Sequence, residues 1–472
     1  MTLKLFLVYS FIKKNAKFST SDPKGPLSLP IIGGLYCLIS RDPPQLRLHS
    51  LSKKYGKLMS IWFGDNYSII VNDASLLTEM NSKNFKIFSD RPPTPTLRLF
   101  SPDFNDLLMG PHKTWKPIRH ALSPHFTKTK TSELWSDAIN EYGEQLTRKL
   151  KEHAQSGELL KLNDFFKKYT FAVACKVIFS YKIEYTDTIQ DGLMGKTFGP
   201  LERMITKMAH GQLFETIHAL SPIYYMLISK IGNEIEDVKG EVRKYVKEHV
   251  QTIDKNKPRD MLDFMILQDY DEDLLTNVTF DLMITGVETS ANTLSWAALF
   301  LVNQPHIQEK VSSELRDAFG LDTRVQSNNK QDTPYTHAML KEVLRYKHIA
   351  PIGFPRVALE PIVIDGCFIP KGTHVIPNYY TILRDPNCFP NPDVFMPERF
   401  LTNERLESYL PFNVGERNCL GLHVAMDEMY SALANIFKNF KISSPTGKQL
   451  DESEVAGIAI HPLNHAYKIE AR

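Results

Sequence analysis

The spacing of apolar residues predicts a mainly helical chain with a small β-rich part. Residues 58–64 and 67–72 alternate or cluster apolar side chains with a turn at Gly64-Asp65, which is typical of two short strands. In residues 135–154 and 238–254, apolar positions recur at helical spacing opposite charged faces. Strand-like runs return at residues 361–369 and 373–377. We therefore predict a mainly α fold with a small β-rich lobe.

The longest predicted helix covers about residues 276–303 and is apolar on several sides, as expected of a helix that crosses the centre of a large core. Its middle, residues 285–290, is polar. Gly286, Thr289 and Thr293 fall at i, i+3 and i+7 and share one face. This face could accommodate a planar cofactor and offer it a hydroxyl group. The alternative is that Thr289 bonds back to the carbonyl one turn earlier, the commoner fate of a threonine inside a helix.

The most specific motif is Phe412-Asn-Val-Gly415-Glu-Arg417-Asn-Cys419-Leu-Gly421. A thiolate at Cys419 can bind haem iron. Gly415 permits a tight turn, and Gly421 permits close approach of the backbone to a flat ring. Arg417 offers a forked cation to a haem propionate, and Phe412 covers the sulfur. Together these residues predict a cysteine-ligated haem.

These ten residues resemble the cysteine-ligand loop of the cytochrome P-450 family, Phe-x-x-Gly-x-Arg-x-Cys-x-Gly, at every fixed position. The resemblance spans residues 24 to 461 in the correct order, and residues 342–347 are similar to social-amoeba members of the family. It implies the cytochrome P-450 fold and haem b (iron protoporphyrin IX). It also implies a haem-thiolate monooxygenase that inserts one oxygen atom from O2 into a lipophilic small molecule.

The resemblance assigns roles to residues on both sides of the haem. Cys419 would be the axial iron ligand. The polar middle of the long helix resembles the family's oxygen-activation motif, with Thr285 in place of the usual small residue. Thr289 and Glu288 would then be the catalytic residues that deliver protons, and Gly286 would border the cofactor.

Further hydrogen-bond donors would hold the haem propionates beside Arg417. Trp115 and Arg119 resemble the family's Trp-x-x-x-Arg motif, and Arg356 resembles the arginine of the strand that faces the pocket. On residues alone, a partly buried tryptophan beside a surface arginine is the commoner arrangement. The propionate role is therefore implied by the resemblance.

A separate set of charged residues is expected to brace the cysteine loop. Glu342 and Arg345 stand three apart on a predicted helix, where they can meet. Such a pair is usually exposed and contributes little. The resemblance instead implies a buried structural network of Glu342, Arg345 and Arg399.

Apolar residues predict a lipophilic pocket, although each of them is also a candidate for ordinary core packing. The candidates are Phe100, Leu107, Leu108, Leu282, Ile352, Phe354, Ile458 and Ile460.

Two functions other than monooxygenation are kept as alternatives. One is a family member that isomerises peroxides or dehydrates its substrate without external electrons, and the other is a non-enzymatic haem-binding protein.

Composition bounds the partners. The chain has 472 residues with no Gly/Ser-rich or Pro-rich linker, so residues 23–472 are expected to form a single domain. A net charge of +2 gives no argument for nucleic acid as a partner.

The expected electron donor is NADPH-cytochrome P-450 reductase, or a ferredoxin in a mitochondrion. Lysines near Trp115 form its predicted docking face, namely Lys113, Lys116, Lys128 and Lys130. The alternative is a solvated helix face without a partner.

Residues 1–22 are expected to be a short anchor or targeting segment. Residues 5–12 are apolar, well short of the roughly 20 residues that span a bilayer. Residues 24–33 look like the proline hinge that follows the anchor in microsomal members of the family, which favours a membrane surface at the cytosolic face of the endoplasmic reticulum. A mitochondrial presequence is the alternative, although the segment contains no arginine.

Overall fold

The computed structural model describes residues 3–183, 193–197, 199–200, 215–402, 406–457 and 459–472. Helices dominate the described chain, as predicted. None of the described helices has the length and hydropathy of a membrane span. Their bounds are Leu3–Asn15, Pro44–Tyr55, Ala74–Thr78, Pro95–Phe100, His112–Leu122, Lys128–Leu134, Ser136–Ser156, Leu162–Phe179, Ser221–Thr252, Met261–Ile266, Glu272–Asn303, Pro305–Phe319, Pro334–Tyr346, Tyr379–Ile382 and Leu422–Asn439.

The strands form small sheets, and the largest contains the predicted hairpin. β1 (Leu58–Phe63) pairs antiparallel with β2 (Asn66–Val71) around Gly64, whose φ is +54°. Non-local strands complete this sheet, because β6 (His374–Pro377) runs parallel to β2 and β3 (Arg356–Val357) runs antiparallel to β6. The remaining strands form two-stranded sheets: β4 (Ile362–Ile364) with β5 (Cys367–Ile369), β7 (Phe440–Ser443) with β10 (Lys468–Ala471), and β8 (Glu454–Val455) with β9 (His461–Pro462). The β-rich lobe of the prediction is confirmed.

The helix Glu272–Asn303, here called the central helix, passes through the largest apolar core. It begins where the Asp271 carboxylate accepts a hydrogen bond from the Leu274 N–H at 2.7 Å, and two acidic residues follow in its first turn. It packs along Leu162–Phe179 and is almost wholly buried from Ser290 to Val302. Its middle differs, because Thr285 is exposed and Gly286 is only half-buried. The core therefore has an opening beside the polar middle of this helix.

A buried ion network ties the helix Pro334–Tyr346 to the segment that precedes the cysteine loop. The Glu342 carboxylate accepts two hydrogen bonds from Arg345, both at 2.7 Å, and one from Arg399 at 3.2 Å. It also accepts one from the Met396 N–H at 2.8 Å. Glu342 and Arg345 are fully buried. The predicted structural network is confirmed.

Truncating this carboxylate should destabilise the protein, because two buried guanidinium groups would lose their counter-charge. We expect Glu342→Ala to cost about 3 to 5 kcal/mol and to yield protein with little or no haem. The measurement is the ratio of haem to protein after purification, together with the thermal unfolding midpoint. The matched control is Glu152→Ala, since Glu152 pairs with Lys149 at the same three-residue spacing on the solvent-facing side of the helix Ser136–Ser156. Normal haem content in Glu342→Ala would contradict the prediction.

Candidate active site

The cysteine loop is shaped by one close backbone contact. Gly415 has a φ of +85°, and a Cβ added there would lie 2.0 Å from the carbonyl oxygen of Asn81. The loop then turns back, because the Cys419 N–H donates to the carbonyl of Phe412 at 2.9 Å. Gly421 follows as the residue that caps the helix Leu422–Asn439. The motif spacing thus places the sulfur next to the N-terminus of a helix.

The thiol of Cys419 experiences opposing influences. Burial raises its pKa, while the backbone N–H of Gly421 and the guanidinium of Arg119 lower it. A nearby helix N-terminus and a cation favour the thiolate. These two groups would stabilise the negative sulfur that a haem iron requires.

The structure leaves space for a flat group around this sulfur. A Cβ added at Gly286, or at Gly421, would meet no atom within 4 Å. The two glycines belong to the central helix and to the start of Leu422–Asn439, which pack against each other. Cys419 itself is exposed, although its surroundings desolvate the thiol. A haem fits here, since it would fill the opening and cover the sulfur.

A cluster of buried arginines fits the acidic edge of a haem. Burial, with Arg91 and Arg356 nearby, lowers the pKa of Arg417 to about 8. Burial, with Arg91 nearby, likewise lowers the pKa of Arg356 to about 9. Among the described residues, Nε and Nη1 of Arg417 find no hydrogen-bond partner. Buried charges normally have partners, and the two propionates of a haem would supply two negative charges and several acceptors.

Arg119 and Trp115 take different positions beside this cluster. The Arg417 guanidinium lies over the Trp115 ring, 4.5 Å from its centroid. Arg119 donates to the carbonyl of Asn418 at 3.0 Å and to its side-chain oxygen at 2.6 Å. Arg119 therefore holds the residue next to Cys419. The propionate roles of both residues stay predictions.

Sequence reasoning missed Arg91, which belongs to the arginine cluster, and the nearby His112. Arg91 donates from Nε to the carbonyl of Leu108 at 2.7 Å, and burial lowers its pKa to about 10. His112 lies beside Phe85 and Trp115, and its buried Nε2 has no hydrogen-bond partner among the described residues. The position of His112 three residues before Trp115, on one helix face, was the available signal. No pattern in the sequence around Arg91 indicated its place in the cluster.

The hydroxyl groups of Thr285, Thr289 and Thr293 on the central helix bond back to carbonyls of the same helix. Thr289 Oγ1 donates to the carbonyl of Thr285 at 2.7 Å, and Thr285 Oγ1 donates to that of Asp281 at 2.7 Å. Thr293 Oγ1 donates to the carbonyl of Thr289 at 2.9 Å. Thr289 therefore makes the side-chain-to-backbone hydrogen bond that is common for a threonine inside a helix. The hydroxyl oxygen of Thr289 can still accept a hydrogen bond, so proton delivery by Thr289 and Glu288 stays a prediction.

Two buried acids near the site also escaped the sequence analysis. The Asp281 carboxylate accepts from the N–H groups of Leu107 at 3.0 Å and Leu108 at 2.8 Å, and burial raises its pKa well above the usual range. Asp281 thus ties the loop that precedes His112–Leu122 to the central helix. Burial also raises the pKa of Glu428 to about 8, so this carboxyl is largely protonated at neutral pH.

The predicted pocket residues differ in exposure. Leu107, Leu108, Leu282 and Ile352 are half-buried, and Phe354 is exposed beneath the guanidinium of Arg91. Phe100 and Ile460 are buried, which agrees with core packing. Ile458 lies outside the described residues. A role in substrate binding stays a prediction for this set.

The sequence profile of the family described as cytochrome P-450 matches residues 23–469, nearly the whole chain. This protein belongs to the cytochrome P-450 family. Probable cytochrome P-450 508D1 from Dictyostelium discoideum is 33% identical over 480 residues, covering 100% of this chain and 98% of the relative. Probable cytochrome P-450 519E1 from the same organism is 30% identical over 497 residues, covering 99% and 97%. The predicted similarity to social-amoeba members is confirmed.

Solved cytochrome P-450 structures share the fold. A zebrafish cytochrome P-450 with progesterone superposes with a TM-score of 0.81 at 25% identity, covering 92% of this chain and 100% of the other. A second zebrafish structure, with abiraterone, gives a TM-score of 0.80 at 24% identity, covering 91% and 99%. The predicted cytochrome P-450 fold is therefore confirmed.

The arginine cluster predicts how this cytochrome P-450 retains haem. Arg417→Gln should accelerate haem loss to apomyoglobin by about 10- to 100-fold, because a hydrogen bond between charged groups contributes about 1.5 to 3 kcal/mol. The cause can be isolated with haem dimethyl ester, whose propionates carry no charge. If Arg417 acts through a propionate, the ester should remove most of the difference between variant and wild type.

The control for this measurement is Arg384→Gln. Arg384 is also buried, but it donates to the carbonyl of Tyr346 at 2.7 Å and pairs with Asp393. Its replacement should change the unfolding midpoint without an ester-dependent change in haem loss. An equal effect of Arg417→Gln on free haem and on the ester would show that Arg417 does not bind a propionate.

Proposed function

We propose that this cytochrome P-450 is a monooxygenase that inserts one oxygen atom from O2 into a lipophilic small molecule, with electrons from a redox partner. The observation that carries the proposal is the opening beside Cys419. It is flanked by Gly286 and Gly421 and lies near the Arg417 nitrogens that find no hydrogen-bond partner in the described part of the chain. Haem b is the group that we infer for this space, and Cys419 would bind its iron.

When bound, a thiolate-ligated haem supplies dioxygen activation, because the sulfur donates electron density that favours cleavage of the O–O bond. The protein's own residues set the conditions. Arg119 binds Asn418, and the carbonyl of Phe412 accepts the hydrogen bond of the Cys419 N–H, so the backbone that carries the sulfur is held in place. Arg417, and by our inference Arg356, would hold the propionate edge.

Proton delivery would come from the central helix. Thr289 Oγ1 now donates to the carbonyl of Thr285, and its lone pairs remain available as acceptors. Rotation about χ1 would turn the hydroxyl towards the opening, where Thr289 Oγ1 could donate a hydrogen bond and relay a proton. Glu288, half-buried and adjacent in sequence, is the proposed proton source for Thr289 Oγ1.

A lipophilic substrate agrees with the half-buried apolar side chains of Leu107, Leu108 and Leu282. Asp281 holds the backbone of the first two residues, so they have defined positions beside the central helix. The zebrafish relative with progesterone is an example of a family member with a lipophilic compound. The substrate class is therefore proposed as lipophilic.

Replacing Thr289 should separate electron use from product formation. We expect Thr289→Ala to keep haem and substrate binding while product formed per NADPH falls by on the order of 10- to 100-fold and hydrogen peroxide rises. Thr293→Ala removes a hydroxyl one turn further along the same face and should stay close to wild type. Unchanged coupling in Thr289→Ala would rule out this role. Substrate turnover without any reductant-dependent oxygen use would instead favour the isomerase or dehydratase alternative.

The charge of one surface supports a proposal for the redox partner. NADPH-cytochrome P-450 reductase at the cytosolic face of the endoplasmic reticulum is the proposed electron donor, and a ferredoxin in the mitochondrion is the alternative. Lys113 and Lys116 are exposed on the same helix as Trp115 and Arg119. Lys128 is exposed as well, whereas Lys130 pairs with Glu133 at 2.6 Å. An acidic partner docked on this face would be close to the haem edge.

Reversing the charge of this face should slow the first electron transfer. Lys113→Glu combined with Lys116→Glu should reduce the reductase-driven rate and flatten its salt dependence, because exposed charges interact within about 8 Å at physiological salt. Reduction by dithionite should stay normal. The control, Lys255→Glu with Lys257→Glu, changes two exposed lysines in another segment. Unchanged rates across a salt series would place the docking face elsewhere.

A further inference from the structure

A buried group of metal-ligand side chains lies away from the cysteine loop, between the end of the helix Ser221–Thr252 and the start of the helix Met261–Ile266. Among the described residues, His249, Asp260 and Asp263 bring one ligand atom each within 4.8 Å of the others. His249 is 5% exposed, and both aspartates are fully buried. We call these three residues the junction cluster. Since buried carboxylates are normally paired or bind a metal, the junction cluster needs positive charge.

The imidazole of His249 presents one nitrogen to the carboxylates. Its Nδ1 lies 2.9 Å from the carbonyl oxygen of Tyr245, which can only accept, so Nδ1 carries a proton. Its Nε2 lies 3.0 Å from Oδ2 of Asp260. Without a further cation, a lone pair on Nε2 would face a carboxylate oxygen. Either a proton or a metal ion must therefore lie between these two atoms.

Both of these side chains are oriented through atoms that a metal would not use. The bond from Nδ1 of His249 to a backbone carbonyl is the usual support of a histidine that binds a metal through Nε2. Asp260 caps the helix Met261–Ile266, because its Oδ1 accepts from the Asp263 N–H at 3.0 Å. This cap leaves Oδ2 of Asp260 directed at His249. Two ligand atoms thus have defined positions.

Arg259 provides a second positive charge, at the third member of the cluster. Its Nε donates to Oδ2 of Asp263 at 2.7 Å, and its Nη2 donates to Oδ1 at 2.9 Å. Its backbone N–H also donates to Oδ2 at 2.9 Å. The Arg259 side chain is 37% exposed, whereas that of Asp263 is fully buried. The guanidinium can therefore move into solvent, where leaving its partner costs little.

We propose that the junction cluster binds Zn²⁺ through Nε2 of His249 and one carboxylate oxygen each of Asp260 and Asp263. The divalent ion would replace two single positive charges, namely the proton at Nε2 and the guanidinium of Arg259. One imidazole with two carboxylates suits Zn²⁺, whereas Mg²⁺ and Ca²⁺ prefer oxygen ligands and copper(I) prefers sulfur. Ligand atoms around tetrahedral zinc are about 3.3 to 3.5 Å apart, a spacing that side-chain rotation within the cluster can reach.

The ion would join two helices and stabilise their junction. The helix Met261–Ile266 also packs against His112–Leu122, and Phe264 stacks on His125 with the ring centroids 3.7 Å apart. Binding to the native state alone would raise the unfolding midpoint. The alternative is an ion network in which the proton and Arg259 stay in place. Zinc binding at the junction goes beyond the proposed function and does not depend on it.

The test is zinc binding by the haem-loaded, tag-free full chain, measured by equilibrium dialysis against buffered zinc chloride and by elemental analysis. We expect one zinc per chain with a dissociation constant of about 1 µM or below. His249→Gln and Asp260→Asn should each weaken binding by at least about 100-fold, since even residues behind the ligands contribute 10- to 100-fold. Asp260→Asn keeps an oxygen that can cap the helix, so it separates metal binding from folding. The control is His306→Gln, an exposed histidine of the helix Pro305–Phe319, which should bind zinc within about twofold of wild type.

Arg259→Gln tests the exchange of charges in the opposite direction. If the guanidinium competes with zinc for Asp263, its removal should tighten zinc binding by about fivefold, the factor that corresponds to a partly exposed ion pair. Saturating zinc should also raise the unfolding midpoint of the wild type and leave that of His249→Gln unchanged. An Arg259→Gln variant that binds zinc no more tightly than wild type would overturn the proposed exchange.

X-ray absorption at the zinc edge identifies the ligands and needs no variant. The wild type should show nitrogen and oxygen neighbours at about 2.0 to 2.2 Å, with the outer scattering of one imidazole. Sulfur at about 2.3 Å would assign the zinc to a cysteine and overturn the proposal. Less than one equivalent of zinc at about 10 µM free ion, or equal affinity in wild type and His249→Gln, would also overturn it. The carbon monoxide spectrum of each variant reports separately on the proposed function.

Discussion

The structure depends on keeping a space for a flat group open inside an apolar core. Such a space is destabilising, because the atoms that line it lose packing contacts. The buried guanidinium groups of Arg91, Arg356 and Arg417 add electrostatic repulsion beside it. A haem would relieve both effects, since its ring fills the space and its propionates carry negative charge. We therefore expect haem binding and folding to be strongly coupled, as for any group that binds only the native state.

Buried carboxylates hold the two sides of this space in position. On the cysteine side, Glu342 binds Arg345, Arg399 and the backbone of Met396. On the opposite side, Asp281 binds two backbone N–H groups of the loop that precedes His112–Leu122. The same loop provides the Gly110 carbonyl that Arg417 contacts, so the central helix and the arginine cluster are connected.

The sequence was informative where the chemistry lies in one short segment. Ten consecutive residues define the cysteine loop, and periodicity located the central helix to within four residues of its observed start. The Glu342 network was predicted from the resemblance, because an exposed Glu-Arg pair has the same local spacing. Contacts between distant segments were harder to predict. Arg91 lies 326 residues before Arg417 in the chain (417 − 91), and no local pattern reveals that the two guanidinium groups share one buried region.

Arg119 shows a second limit of sequence reasoning. Its spacing from Trp115 matches the family motif, yet both terminal nitrogens of its guanidinium bind Asn418. The position of a side chain can thus be inferred from a motif more safely than its hydrogen-bond partners can. The orientation of Thr289 is a similar case, because helix geometry offers its hydroxyl a carbonyl acceptor at every such position.

Cys419 is proposed as the thiolate ligand of a haem in the opening beside the central helix. The absorption spectrum of the reduced, purified protein under carbon monoxide tests this assignment. We expect the red-shifted Soret band of a thiolate-ligated haem in the wild type and in Cys388→Ser, and its absence in Cys419→Ser. If the band persists in Cys419→Ser, another residue binds the iron.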